Sequence, residues 1–355
     1  MEVLMGFLYF ALTLGILVGI HEWGHYIVAR LCGIAVSDFA IGFGPELFGW
    51  TNKNGTRFSL RLIPLGGYVK MIGSQKSDNP TEAERKTGFA YKSPWQRMAV
   101  AAAGPAVNFI FAILVIAGMS FAGKPVYQPV IGQVEAGMPA ATAGIQAGDR
   151  IVGVNGNAVR TAAEATAAIQ AAGGQTLTVT VNRDGTHVTV TLTPDTATKR
   201  IGIRYSGAYE LESPSSPVDA LKDGVTGTWN TVKAIFGFLG ELFTGQRGMQ
   251  DMGGMVSIGK AADQSASVGW YMFFGFLAAM SINLGVMNLL PIPGLDGSHI
   301  IFTFLEGVGL KIPEKVMNAL FLAGALFLIA FMIIVNINDI LRLESVRDIL
   351  GRIFG

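Results

Sequence analysis

Two histidines flank a glutamate in the stretch His21-Glu22-Trp23-Gly24-His25 near the N-terminus. On an α-helix, positions four apart lie on one face, so both imidazoles can reach a single ion. Zinc accepts imidazole nitrogens and lowers the pKa of a bound water to about 7, and a neighbouring carboxylate can then take the water's proton. The spacing predicts a hydrolytic zinc site with His21 and His25 as ligands and Glu22 as general base.

A catalytic zinc ion needs a third protein ligand and an open position for water. Asp296 offers a carboxylate in the stretch 291–297, whose prolines and glycines should end a preceding helix. His299 is a rival ligand, and a capping aspartate in a turn is the alternative role for Asp296. Asn283 and Asn288 precede this stretch. They can join helices through hydrogen bonds or hold a substrate backbone, and the sequence leaves both roles open.

The composition indicates that a membrane surrounds these residues. Half of the 355 residues are hydrophobic and 14% are charged, against about 25% in soluble domains. The net charge of +1 gives no basic field for nucleic acid, so no nucleic-acid partner is expected. Cys32, the single cysteine, excludes an internal disulfide and a cysteine-rich metal site. Four apolar stretches predict a polytopic α-helical membrane protein with spans at about 3–31, 99–121, 268–290 and 316–335.

Lysine and arginine concentrate in the loop between the first two predicted spans, residues 30–97. The positive-inside rule places this loop in the cytoplasm and both termini outside. His21, His25 and Asp296 then lie at similar depth, toward the cytoplasmic side. The remaining charges divide: Lys311 and Lys315 agree with this orientation, whereas Arg342, Arg347 and Arg352 disagree.

Two inserts interrupt the membrane domain. In the cytoplasmic loop, residues 58–62 alternate apolar and polar, a turn follows at 64–67, and 68–71 resumes the alternation, which predicts a membrane-associated β-loop over about 36–73. Between spans two and three, 126–207 predicts a water-exposed α/β module. Its elements are strands at 130–134, 150–154, 176–182 and 187–192 and a helix at 162–172. A linker with an amphipathic helix on the membrane surface is expected over 213–262.

Several motifs together resemble the site-2 protease family of intramembrane zinc metalloproteases, and more narrowly its bacterial regulator-of-sigma type. They are His21 to His25, the Phe43-Gly44-Pro45 loop, Ile63 to Val69, Gly104-Pro105 with Asn108, and Leu295-Asp296-Gly297. The resemblance implies that His21, His25 and Asp296 bind zinc, that Glu22 activates water, and that Asn288 handles substrate. The membrane domain then comprises 1–122 and 268–355.

The resemblance also implies partners and a location. Substrates would be single-pass membrane proteins, of the anti-sigma factor type or signal-peptide remnants, cleaved within the lipid bilayer of the bacterial inner membrane. The 126–207 insert resembles a PDZ domain through residues 140–149, and it would face the periplasm. Its Tyr127-Gln128-Pro129 loop lacks the glycine of a carboxylate-binding site. The domain can therefore capture a peptide ligand or act as a size filter.

Two other functions fit parts of the sequence. A non-catalytic scaffold that recruits partners through its PDZ domain would have the same zinc ligands but would not cleave a substrate. A zinc transporter would need polar residues along several spans, and the second and fourth spans offer almost none. Glu22 beside the two histidines favours the enzyme.

Overall fold

The computed structural model describes residues 2–74, 81–196, 198–214, 216–248, 252–310 and 312–341. Lys76, Lys311 and the three tail arginines, which entered the orientation argument, lie outside these ranges, as does Ser215 of the predicted linker. The α-helices are α1 Glu2–Leu31, α2 Glu82–Thr87, α3 Pro94–Phe121, α4 Pro139–Thr142, α5 Ala162–Ala171, α6 Pro217–Phe243, α7 Met255–Val268, α8 Trp270–Leu289, α9 Asp296–Gly307 and α10 Glu314–Leu341.

The chain divides into two compact units. Unit 1 comprises 1–119 and 216–355, and unit 2 comprises 120–215. Unit 1 holds strands β1 Val36–Thr51 and β2 Arg57–Met71. Unit 2 holds β3 Lys124–Tyr127, β4 Ile131–Val134, β5 Arg150–Val154, β6 Asn157–Ala158, β7 Leu177–Arg183, β8 Thr186–Leu192, β9 Ile203–Tyr205 and β10 Tyr209–Glu212.

Three helices in the described ranges are long and apolar enough to cross a membrane: Pro94–Phe121, Trp270–Leu289 and Lys315–Leu341. Only 11% of the apolar window in the last of these is buried, so most of α10 is free to contact lipid. The first predicted span forms the 30-residue helix α1, which is not among the three. Its second half carries His21, Glu22 and His25, which interrupt the apolar run. Four spans therefore stay a prediction.

Strands β1 and β2 are long and bent, and their segments pair side by side in one sheet. The first part of β1, 36–41, pairs on one side with 67–71 and on the other with 57–60, so that Phe39 opposes both Val69 and Phe58. The second part, 46–51, pairs with 57–61. The sheet thus has two edges, 67–71 and 46–51. Buried side chains of Tyr26, Phe39 and Phe58 pack this sheet against the end of α1.

The predicted turn at 64–67 and the predicted Phe43-Gly44-Pro45 loop fall inside the ranges of the long strands, but the chain reverses direction at both places. Gly44 and Gly66 have φ of +81° and +103°. Glycine adopts such angles without steric cost, so the chain can turn sharply between two paired segments. The local turn signals are therefore confirmed, as bends within β1 and β2.

Helices α1 and α3 approach closely at two glycines. A Cβ on Gly24 would lie 2.5 Å from the carbonyl oxygen of Ala103, and a Cβ on Gly104 would lie 2.3 Å from His25 Nε2. Neither distance is compatible with a side chain. Small residues let helix backbones meet in this way inside membranes. The glycines therefore bring the His21–His25 face of α1 directly onto α3.

The amphipathic helix predicted within 213–262 is present as α6, and its location on the membrane surface stays a prediction. Helix α6 packs along α3, where a Cβ on Gly224 would meet the backbone of Ile113, and Val232 packs against a cluster that includes Ala278 of α8. Small residues on one face of α6, including Ala220 and Gly224, allow this contact. The unpredicted helix α7 follows and packs against α1 and α8.

Unit 2 is an α/β module with a four-stranded antiparallel sheet in the order β6-β5-β7-β8. Asn155 and Gly156 both adopt positive φ in the turn between β5 and β6, as Asp184 and Gly185 do between β7 and β8. These are the turn residues that a two-residue hairpin requires. The core is aliphatic, with Ile151, Leu177, Val179, Val181 and Ile169 buried.

Asp149 is a buried carboxylate in this module. Arg183 donates from Nε to Oδ1 at 2.8 Å and from Nη2 to Oδ2 at 2.7 Å, and the backbone N–H of Gln146 donates to Oδ2 at 2.9 Å. The Arg183 guanidinium holds the pKa of the Asp149 carboxyl below its ordinary value, against the opposing effect of burial. The ion pair fastens the 144–149 turn to the end of β7.

We predict that this pair makes unit 2 acid-sensitive. A carboxyl whose pKa is lowered by folding adds stability above its unfolded pKa of about 3.9, and that stability is lost as the pH falls through the folded pKa. Asp149→Asn should therefore lower the protection of β5 and β7 amides from hydrogen exchange at pH 7. It should also make that protection depend less on pH as the solution is acidified. Glu135→Gln, which breaks the exposed pair with Arg204, is the control and should change neither. Equal effects of both substitutions would contradict this.

Candidate metal centre

Three ligand atoms meet at one point in unit 1. Nε2 of His21 lies 3.2 Å from Nε2 of His25, and Oδ2 of Asp296 lies 3.0 Å and 3.3 Å from these two nitrogens. Both histidines are buried, and Asp296 is partly buried. Among the described residues, this is the cluster of histidine, cysteine and acidic side chains placed to hold a metal ion.

Helix α1 presents the two imidazoles, and α3 receives them. Nδ1 of His25 donates to the carbonyl oxygen of Val100 at 2.7 Å, which leaves the lone pair of its Nε2 facing the other two ligand atoms. Nδ1 of His21 lies 3.1 Å from the side-chain amide of Asn108. Each ring is therefore oriented by a partner on α3, as metal-binding histidines usually are.

Asp296 reaches the centre because α8 ends just before it. The helix stops at Leu289, a turn containing Pro291 and Pro293 follows, and α9 begins at Asp296. The missing proline N–H groups and ring clashes account for this break. A Cβ on Gly297 would lie 2.3 Å from the carbonyl oxygen of Leu290, so only glycine lets the turn fold so tightly.

The arrangement fits a tetrahedral zinc ion. Ligands at about 2.0–2.1 Å from zinc lie about 3.3 Å apart at the corners of a tetrahedron. The three measured separations, 3.0, 3.2 and 3.3 Å, match that edge. Oδ2 of Asp296 is buried and makes no hydrogen bond of acceptable angle within the described part of the chain, although both Nε2 atoms are near. Two imidazoles and a carboxylate leave a fourth corner for water.

The three ligands line a cavity of about 400 Å³ together with other polar residues. Glu22 lies on its wall, as sequence spacing predicted, and so do Asn288 and His299. Asn288 Nδ2 donates to the carbonyl oxygen of Leu284 at 3.1 Å, and the His299 ring stacks on Phe321 of α10 at 4.7 Å. Asn283 does not line this cavity.

The sheet edge 67–71 forms another wall of the same cavity. A Cβ on Gly67 would lie 2.8 Å from Val18 on α1 and 3.1 Å from Cγ of Glu22. The absence of a side chain at Gly67 thus allows the strand to run against the helix beside Glu22. Val69 and Met71, further along the edge, also line the cavity.

Two contributors at this centre were not assigned a role from the sequence. Asn108 could have been found, because a polar residue in the middle of an apolar span is costly and needs a function. The carbonyl oxygen of Val100 could not, because a backbone acceptor carries no residue-type signal. Gly104 and Gly67 matter through the space that they leave, which depends on neighbours distant in sequence.

We predict that Gly104→Ala disrupts the centre while leaving the helix intact. The added methyl group would stand 2.3 Å from His25 Nε2, so the ring must move. Zinc affinity of the purified chain, measured by chelator competition, should fall by about 10-fold or more. Gly118→Ala in the same helix is the control, because nothing lies within 4 Å of its Cβ, and it should bind zinc normally. Normal zinc binding by Gly104→Ala would contradict the geometry.

The chain is similar to known proteins over most of its length. The model of peptidase family M50 matches residues 9–331. A protein from Mesorhizobium japonicum is 36% identical over 356 residues, which covers 93% of this chain and 97% of its own length. A protein from Rickettsia conorii is 36% identical over 353 residues, which covers 95% of this chain and 98% of its own. Both bear the provisional name zinc metalloprotease.

The matched range contains the whole ligand cluster and the cavity around it. The relatives cover nearly the full length of the chain. The chain belongs to peptidase family M50, the membrane-embedded, zinc-dependent site-2 proteases.

Proposed function

We propose that the chain is an intramembrane endopeptidase that hydrolyses peptide bonds in the transmembrane segments of single-pass membrane proteins. The observation that carries the proposal is the meeting of His21, His25 and Asp296 at tetrahedral separations in a cavity that also contains Glu22. The three long apolar helices of unit 1 support a location in the bilayer.

His21, His25 and Asp296 would hold the zinc ion, and Glu22 would act as general base. When bound, zinc supplies a Lewis acid and a water that is acidic enough to ionise near neutral pH. The Glu22 carboxylate accepts the proton of that water and can deliver it to the leaving amine. Asn288, on the cavity wall, is placed to hold the substrate backbone.

The substrate must be extended before it can be cut, because a helix engages its own carbonyl groups in hydrogen bonds. Within the described part of the chain, the 67–71 edge of the sheet pairs with β1 on one side only, and it lines the cavity. An extended substrate segment could add to this edge through backbone hydrogen bonds, a recurrent mode of peptide recognition. The edge would thereby set the substrate backbone beside Glu22.

Unit 2 supports a proposal about substrate choice. We propose that it is a periplasmic PDZ domain, and that the cavity lies toward the cytoplasmic side of a bacterial inner membrane, as the loop charges favour. A size filter that excludes bulky outer domains and a peptide-binding site remain alternative roles for it. Anti-sigma factors or signal-peptide remnants are the substrate classes that we propose for regulated intramembrane proteolysis.

A non-catalytic scaffold would have the same zinc site as the proposed enzyme but would not cleave substrate. We predict that Glu22→Gln lowers cleavage of a membrane-anchored test substrate by at least about 10²-fold, because the amide cannot accept a proton. Zinc content should be unchanged, since Glu22 is not a ligand. Glu46→Gln, which alters an exposed carboxylate elsewhere on the sheet, should leave cleavage normal. Undiminished cleavage by Glu22→Gln would contradict the mechanism, and no cleavage by wild type would favour the scaffold.

We also predict that a substrate protects one sheet edge only. In the Glu22→Gln chain loaded with uncut substrate, backbone amides in 67–71 should exchange hydrogen more slowly than in the free chain. The opposite edge, 46–51, pairs only with 57–61 and does not line the cavity, so it serves as an internal control. Protection of 46–51 alone, or of neither edge, would contradict substrate addition at 67–71.

A further inference from the structure

The side chain of Asn108 is fully buried in the middle of α3 and faces His21. Its amide nitrogen lies 3.1 Å from His21 Nδ1, and its Oδ1 is buried with no hydrogen-bond partner in the described part of the chain. A buried acceptor without a donor is destabilising, because folding removes it from water without replacing that hydrogen bond. This orientation of the amide is therefore unfavourable by itself.

The same orientation of the Asn108 amide is incompatible with zinc binding by His21. A neutral histidine that binds metal through Nε2 carries its proton on Nδ1, so the buried Nδ1–H of His21 needs an acceptor. The amide nitrogen of Asn108 offers only donors. Exchanging the amide oxygen and nitrogen places Oδ1 opposite Nδ1 and removes the unsatisfied oxygen. Such an exchange is decided by hydrogen-bond partners, since the two atoms have nearly the same size.

We propose that Asn108 is a positioning residue of the zinc centre, whose side-chain carbonyl accepts the Nδ1–H of His21. This inference rests on the zinc site proposed above and deepens it. The amide fixes the tautomer of His21 so that its Nε2 presents a lone pair. It thus does for His21 what the carbonyl oxygen of Val100 does for His25. The two histidines are then held by one backbone and one side-chain acceptor of the same helix.

The backbone of Asn108 is held independently of its side chain. Ser281 of α8 donates from Oγ to the Asn108 carbonyl oxygen at 2.9 Å, in a fully buried contact. Loss of that bond would disturb helix packing at the same depth without touching His21. Ser281→Ala is therefore a matched control for packing, and it separates a positioning role from a structural one.

The test compares zinc affinity, by competition with a chromophoric chelator, for the full chain in detergent. Asn108→Leu should weaken zinc binding by about 10- to 100-fold, because a shape-matched side chain without an acceptor leaves the Nδ1–H unpaired. Asn108→Asp should keep the affinity within a few-fold of wild type, because its carboxylate accepts the same proton. Ser281→Ala should bind zinc normally.

Three results would overturn the inference: unchanged affinity in Asn108→Leu, affinity in Asn108→Asp as weak as in Asn108→Leu, or an equal loss in Ser281→Ala. The first, if accompanied by lost cleavage, would assign Asn108 to substrate contact instead. Should Asn108→Leu not fold, the comparison of Asn108→Asp with wild type still decides. His21→Ala is the benchmark, since its retention of zinc would contradict the zinc site itself and not the role of Asn108.

Discussion

Helix α1 can lie against α3 only because Gly24 and Gly104 carry no side chain where the helices meet. That contact brings two imidazoles against the polar groups of α3 that orient them, the Val100 carbonyl oxygen and the Asn108 amide. A wider separation of the helices would break both hydrogen bonds and spread the ligand atoms. The metal centre therefore depends on close backbone packing more than on the ligand side chains alone.

Buried polar groups are costly unless they are paired, and the polar side chains at this centre pair with one another. Three histidines and two carboxylates line one cavity of unit 1. A cation bound there would compensate the carboxylate of Asp296, whose Oδ2 accepts no hydrogen bond of good geometry within the described residues. Glu22 is not part of the ligand triangle but lines the same cavity. The adjacent positions of His21 and Glu22 on one helix would thus separate the proposed ligand and base roles.

The sequence predicted which side chains meet at this centre, because their signals are local. His21 and His25 share a helical face, and the prolines before Asp296 end a helix where a ligand is needed. The bent strands, the packing of α6 and the helix α7 escaped prediction because they depend on distant contacts. The turn residues at 64–67 do reverse the chain, but the two segments that they join pair with opposite sides of β1, which no local signal shows. The orientation of His25 by a backbone carbonyl has no signature in residue types at all.

The central claim is that zinc is held by two imidazoles and one carboxylate. X-ray absorption spectroscopy at the zinc edge of the metal-loaded chain tests it most directly. The account predicts four light-atom ligands at about 2.0–2.1 Å, two of them imidazoles, with no sulfur, and one imidazole fewer in His25→Ala. A sulfur ligand from Cys32, or an unchanged imidazole count in His25→Ala, would contradict it.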